Sequence, residues 1–352
     1  MKKILSTMLI ALVLVLNVLP IAAEGAQSES ESVPYNIEPV VSDLQLNKSA
    51  GYFHLKVTKD TKEKLQIKVN NNGDQETDYE IRVDIGKTNK NGLIVYREDN
   101  AKGPNDTLEY NIEDFISIKD KVITVPAHST KNFEIDIDLK GKTFDGILAG
   151  AFTINEELEE SDTAGIGHVY LYELGIVLTQ SDDAALPNSK TLDLGEVEMT
   201  LDAGHKVLSY DILNLEPNIA RNLNVETRLT KTDEETVIFD EKVEKFSIAP
   251  NGILPLRLDW KRNEVKPGSY LLEIDAEDGE ESWTWTYEFT IDKDEAKDLN
   301  DNATYIVRYP SWTFTAFVVL GILTIVNTLY LVKRQIDYEK DKGEAKKNER
   351  EK

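Results

Sequence analysis

Between Tyr35 and Ile291 the chain alternates apolar and polar residues over one short run after another. A period of two belongs to strands that bury one face and wet the other. GYFHLKV sets Phe53, Leu55 and Val57 on one side, KLQIKVN sets Leu65, Ile67 and Val69, and DYEIRVDI sets Tyr79, Ile81, Val83 and Ile85. NFEIDIDL continues with Phe133, Ile135, Ile137 and Leu139, and FDGILAGAFTI, Phe144 to Ile154, closes a first group. Charged residues between the apolar positions mark half-buried antiparallel strands. Turn signals separate them at Asn71-Asn72-Gly73, Asn91-Gly92, Gly103-Pro104, Pro126 and Gly141. Many short strands at this spacing predict an immunoglobulin-like β-sandwich. Asp114 to Ile118 reads equally as a helical turn or a loop.

An acidic run, Glu156 to Asp162, followed by Gly165 and Gly167, reads as a loop at a domain boundary. Strand patterns resume at His168 with HVYLYELGIVLTQ and continue through VLSYDILN, LNVETRLT, VIFDEKVEKFSI, ILPLRLDW, SYLLEIDA and WTWTYEFTI. Leu254, Leu256, Leu258 and Trp260 share a face, as do Trp283, Trp285, Tyr287, Phe289 and Ile291. Pro217, Pro250-Asn251-Gly252 and Pro267-Gly268 mark turns. The fold class expected is mainly β: two tandem immunoglobulin-like antiparallel β-sandwiches, over 35–157 and 165–292, plus one C-terminal transmembrane helix.

That helix is expected at 311–332, SWTFTAFVVLGILTIVNTLYLV, which holds 22 residues without a charge. At about 1.5 Å per residue it reaches roughly 33 Å, enough for a hydrocarbon core of about 30 Å. Trp312 and Tyr330 fall near its ends, and Lys333 and Arg334 follow at once, placing the 333–352 tail in the cytoplasm. Residues 1–26 read as a signal peptide: Lys2 and Lys3, an apolar run from Ile4 to Leu19, Pro20, and small residues, with cleavage between Ala23 and Gln27. Residues 27–34 read as a disordered leader and 293–310 as a polar linker. Together these give a single-pass cell-membrane protein with its ectodomain outside.

The whole chain carries −24. Lys2, Lys3 and a tail of eight basic and six acidic residues hold four net positive charges, which leaves −28 on the ectodomain. Such a surface repels nucleic acid and anionic wall polymers. With no cysteine, the chain has neither a disulfide framework nor zinc–thiolate sites, so each domain relies on its own core. The absence also fits export in a Gram-positive bacterium.

No catalytic, cofactor-binding or metal-ligating residue stands out. His54, His128, His168 and His205 are scattered without metal-ligand spacing, and no D-x-D-x-D-G loop is present for calcium. Neither a nucleophile elbow nor a phosphate-cradling loop occurs. In a chain with 64 carboxylates, acidic pairs carry no information on glycosidase geometry. The reading is therefore a binding protein without a cofactor; the alternatives are a cell-surface glycan-processing enzyme and a purely structural stalk. Trp283, Trp285 and Tyr287 tempt a sugar-stacking reading, but their spacing favours core for most of these rings.

Certain runs resemble a known family. Pro39-Val40-Val41, GYFHL, Asn70 to Asn72, the T-N-x-x-G-x-I-x-Y run (Thr88, Asn89, Gly92, Ile94, Tyr96) and F-x-G-I-L-x-G (Phe144, Gly146, Gly150) mark the first unit. Tyr172 to Ile176, Ala249 to Asn251, Trp260, Gly268, Tyr270 and the closing W-x-W-x-Y-x-F-T-I mark the second. The ordered set resembles the WxL-interacting proteins of Gram-positive bacteria. That resemblance implies a first domain that binds peptidoglycan, a second that engages a secreted WxL protein or a host extracellular ligand, and an adhesive adaptor held at the cell surface. The chain has no W-x-L of its own, as suits the partner of a WxL protein. No ligand-contact residue is assigned from the resemblance.

Overall fold

A computed structural model describes residues 33–98, 101–157, 170–183, 185–304 and 312–350. The stretch expected as a signal peptide and most of the expected leader and acidic run lie outside the described residues. The architecture is mainly β, with several antiparallel sheets and one C-terminal apolar helix.

The first sandwich packs a four-stranded sheet on a five-stranded one. In spatial order the first contains Tyr35–Pro39, Lys62–Asn71, Thr130–Asp138 and Ile116–Ile118. The second contains Phe53–Lys56, Leu171–Thr179, Ile147–Glu156, Thr77–Ile85 and Val122–Val125. The alternating residues meet between the sheets: Phe53, Leu55, Leu65, Ile67, Val69, Tyr79, Ile81, Phe133, Ile135 and Phe152 are all buried there. Burying one such side chain contributes about 1.5–3 kcal/mol, so the alternation itself stabilises the pairing. Tyr35 is buried among Tyr79 and Tyr172, and its hydroxyl shares its one proton between the carbonyls of Tyr170 at 2.7 Å and Ile154 at 2.9 Å, tying the first strand to the opposite sheet. The ambiguous Asp114 region contains the end of a short 3₁₀ turn, Ile112–Phe115, followed by the strand Ile116–Ile118. Asn111 caps that turn: its side chain accepts from the Glu113 N–H, and Asp114 reaches back to the Asn111 N–H.

The second sandwich sets three strands, Leu192–Asp202, His205–Asn214 and Ile253–Asp259, against four: Thr236–Ile248, Ala220–Lys231, Gly268–Glu277 and Ser282–Ile291. Leu254, Leu256, Leu258 and Trp260 point inward as the alternation requires. Trp260 meets Phe239 and Tyr270 edge-on at ring separations of 4.9 and 6.4 Å.

Three expectations change. Leu171–Thr179, expected in the second sandwich, lies inside a sheet of the first: antiparallel to Ile147–Glu156 and parallel to Phe53–Lys56. Its second half, Ile176 to Thr179, is buried on both faces, which only a strand with neighbours on each side and cover above and below achieves. The 293–310 segment is not simply a linker, because Lys293–Asn302 is a helix docked on the second core through Ala296 and Leu299. Asp292 caps it by accepting from the N–H groups of Asp294 and Glu295, and Asn300 clasps the backbone of Val265 in both directions. Finally, the apolar helix does not stop at Val332: it runs unbroken from Trp312 through Arg350, with its apolar part, Trp312–Arg334, uncovered by protein.

Candidate binding sites

The two sandwiches meet along a polar seam, and part of the resemblance motifs, the run from Thr88, Gly146 and Ala249 to Asn251, sits in it. Lys87–Thr88 and Ile94–Val95 form a small two-stranded ribbon that projects from the first sandwich. At its tip Asn89 accepts from the N–H groups of Asn91 and Leu93, fixing a turn in which Gly92 has φ +67°. A Cβ at Gly92 would stand 2.1 Å from Phe246, so only glycine permits this approach. The Gly92 carbonyl accepts from the Ser247 N–H at 2.8 Å, and the buried Thr88 hydroxyl accepts from the Ala249 N–H at 2.9 Å. Asn105 donates its amide to the carbonyls of Asn214 and Gly252, and its own N–H to that of Asn251. Lys102 pairs with Asp211 at 2.5 Å. Burial pushes the Asp211 carboxyl up, and the Lys102 ammonium opposes that shift.

A second contact closes the other side of the seam. Gly146, at φ +64°, presses against Pro217, where an added Cβ would meet the Pro217 carbonyl at 2.4 Å. The next N–H, of Ile147, donates to that carbonyl at 2.8 Å. Beside this contact lies a cavity of about 550 Å³. His54, Phe144, Ile147 and Thr179 line it from the first sandwich, Leu186 and Pro187 from the connecting segment, and Asn218 from the second. His54 lies between the core residues Phe53 and Leu55 and therefore faces away from the core, yet it is only 1% exposed. The Tyr52 ring stacks on it at 6.2 Å. Among the described residues its Nε2 has no hydrogen-bond partner, nor does the Asn218 Oδ1, and both atoms are closed off from the cavity and from solvent. Burial holds the imidazole below its usual pKa, so the ring is neutral at pH 7.

The aromatic strand Ser282–Ile291 is the outer strand of its sheet, paired only with Gly268–Glu277. Ile291 is core, as expected, but Trp283, Trp285 and Phe289 are half-buried and Tyr287 is 40% exposed. Three opposing strands do not cover the full width of four, so the outermost row of rings stays open to one side. The strand carries a single charge, Glu288, and neither lysine nor proline. Natural edges use such residues to block strand addition, so this one is unguarded.

Sequence reasoning placed no site residue, and the cavity shows why: its polar groups come from three distant stretches, around His54, Thr179 and Asn218. Of the other histidines, His128 lies on the surface beside Asp74 and His205 beside Asp259; His168 lies outside the described residues. Among the described residues, no group of three or more His, Asp or Glu is placed to hold a metal ion.

The fold is a tandem of β-sandwich domains. Residues 35–156 match the family model "WxL Interacting Protein, peptidoglycan binding domain", and 161–301 match "WxL Interacting Protein, host binding domain". Together the matches span about three quarters of the chain, and the chain belongs to the WxL-interacting protein family. The family boundary at 161 precedes the strand Leu171–Thr179, although that strand pairs within the first sandwich. None of the curated proteins compared with the chain matches it. Solved structures that resemble it include a chaperone–tip adhesin complex of CFA/I fimbriae, with 12% identity over 72% of this chain and 98% of that one and a TM-score of 0.28. The YadV chaperone gives 10%, 73%, 100% and 0.28, and the CupB2 chaperone of Pseudomonas aeruginosa 13%, 63%, 91% and 0.26, in the same order.

Proposed function

We propose that the chain is a membrane-anchored adaptor at the surface of a Gram-positive cell. In this reading a signal peptide over 1–26 exports it, the first sandwich binds peptidoglycan, and the second captures a secreted WxL protein or a host ligand. The observation that carries it is the order of the parts: two binding-domain matches in tandem, then a helix whose apolar stretch no protein covers. Lys333 and Arg334 directly after that stretch favour a cytoplasmic tail. The unguarded aromatic edge favours capture by strand addition, in which a partner's extended segment continues the sheet past Ser282–Ile291.

Three measurements test this. External protease on wall-stripped cells should remove the ectodomain and spare a C-terminal epitope; loss of the epitope overturns the orientation. The full chain in detergent should sediment with purified sacculi, and turnover of wall fragments would overturn the non-catalytic reading. Tyr287→Lys, at an exposed position, should weaken capture of the WxL partner about tenfold without altering sacculus binding, because a charge on an edge strand opposes addition. Unchanged capture moves the partner elsewhere.

A further inference from the structure

A strand added along Ser282–Ile291 must match the surroundings of that edge, and these differ on its two faces. The hairpin leading into the edge closes with the Asp278 N–H donating to the Glu281 carbonyl at 3.2 Å. Antiparallel pairs alternate between bonded and non-bonded from there, so Trp283, Trp285 and Tyr287 bond to Ala276, Ile274 and Leu272. The N–H and C=O groups of Thr284, Thr286 and Glu288 point the other way, where no described strand stands. On the inner face Trp283, Trp285 and Phe289 are half-buried, with Tyr287 beside them. The Trp283 Nε1–H donates to the Lys190 carbonyl at 3.3 Å, so this edge lies over the edge strand Leu192–Asp202 of the facing sheet. Val197, Met199 and Leu201 of that strand are likewise only partly buried, and the two edges leave an apolar row open between the sheets. On the outer face Thr284 and Thr286 stand beside Asp275 and Glu273, with Glu277 and Glu288 at either end. Arg228 is held by Asp240 at 2.9 Å and Lys242 by Glu226 at 2.8 Å, which leaves these four carboxylates without an ion-pair partner among the described residues.

We propose that this edge takes an extended segment of the secreted partner in which apolar residues alternate with arginine or lysine. The apolar side chains enter the open row beside Trp283, Trp285 and Tyr287. The basic ones, opposite Thr284, Thr286 and Glu288, form the ladder hydrogen bonds and lean across the short threonines to Asp275 and Glu273. Neighbouring strands lie about 4.8 Å apart, a gap that a long basic side chain bridges to the carboxylate behind the threonine. Opposite charges so placed across strands attract and like charges repel. A second copy of this chain therefore fits poorly: the strand it offers carries Glu288 and no basic residue. The inference rests on the strand-addition reading above and gives the added strand its chemistry.

The test titrates the full chain in detergent with blocked octapeptides. Acetyl-(Arg-Val)4-amide should saturate a single site, and acetyl-(Glu-Val)4-amide should bind at least about tenfold more weakly. Methylating the arginine backbone nitrogens should abolish binding and methylating the valine nitrogens should spare it, because only the former face the edge. Acetyl-(Arg-Arg-Val-Val)2-amide has the same composition without the alternation and should bind weakly. Thr286→Pro removes one outward N–H, leaves the ladder to Gly268–Glu277 in place, and should weaken the Arg-Val peptide at least about tenfold. Glu273→Gln, Asp275→Asn and Glu277→Gln combined should weaken it about fivefold or more and leave acetyl-(Thr-Val)4-amide unaffected. If wild type binds none of these peptides, or binds the block or arginine-methylated peptide as well as the Arg-Val one, the strand-addition reading falls together with the inference. Equal binding of the Arg-Val, Thr-Val and Glu-Val peptides, abolished in each case by Thr286→Pro, leaves strand addition standing and overturns the basic chemistry. A dimer in detergent that Thr286→Pro converts to monomer gives the edge to a second copy and overturns the inference too.

Discussion

At the scale of single residues, His54 is a histidine whose burial the local sequence hides. A lone histidine between Phe53 and Leu55 looks like the wet face of a strand, and nothing local says otherwise. It is buried because the connecting segment and the second sandwich cover that face, a consequence of topology that spacing does not encode. Its burial has a pH signature. The folded pKa is lowered from about 6.5, so the unfolded chain binds the proton more readily. His54 thus costs nothing above about pH 6.5, and stability is lost as pH falls from there toward the folded pKa. His54→Gln should flatten the pH dependence of the urea midpoint below pH 6.5 relative to wild type. Parallel pH profiles for the two proteins would show that burial does not perturb this ring.

At the scale of elements, period two told which face each strand buries but not which strand lies beside it. Leu65, Ile67 and Val69 alternate and are all buried, as are Leu254, Leu256 and Leu258. The same pattern in Leu171–Thr179 gave the wrong sandwich, since face is a local property and pairing a long-range one. The docked helix Lys293–Asn302 was legible only in its cap, Asp292 with Glu295 three residues on; two buried apolar residues make too narrow a stripe to stand out among the polar ones. Pairing makes the place of a cut decisive. A fragment 33–160 loses Leu171–Thr179 from the middle of a sheet and should aggregate, whereas 33–182 retains it and should give a cooperative urea transition; equal behaviour would deny the strand its role. Of the motif residues that carried the family resemblance, Thr88, Gly92, Gly146 and Asn251 prove to be seam residues. Thr88→Val keeps the shape but leaves the buried Ala249 N–H without an acceptor, and should cost about 1–3 kcal/mol. Of the four tryptophans, Trp260, Trp283 and Trp285 lie in the second sandwich and Trp312 opens the apolar helix, so with Trp312→Phe as background tryptophan fluorescence during urea unfolding reads the loss in the second sandwich while far-UV dichroism follows both. A wild-type midpoint would mean that the seam contributes little.

At the scale of the whole molecule, the charge of −28 on residues 4–332 is the property most readily tested against a partner. Complementary charge steers encounter more than it holds a complex together. Exposed charges are screened beyond about 8 Å at physiological salt. A secreted partner that finds this surface quickly should present a basic face. Its association rate should fall several-fold as salt is raised, while its dissociation rate, set by contacts such as the aromatic edge, changes little. Kinetics across a salt series decide this, and an association rate indifferent to salt would leave the acidity with no part in recognition. The strand Leu171–Thr179 bears on how the molecule would behave under tension. If, as proposed, the wall holds the first sandwich and the membrane the long helix, a turgid or sheared cell would pull along the chain between them, and the pull would enter the first sandwich at Thr179. The strand there is not an edge to be peeled away. It is flanked by nine antiparallel register pairs on one side and four parallel pairs on the other. Ladder hydrogen bonds run across the strands, so force along the strand axis shears many of them at once instead of unzipping them singly. The crossing of the family boundary by this one strand would make the joint between wall and membrane a mechanical clamp.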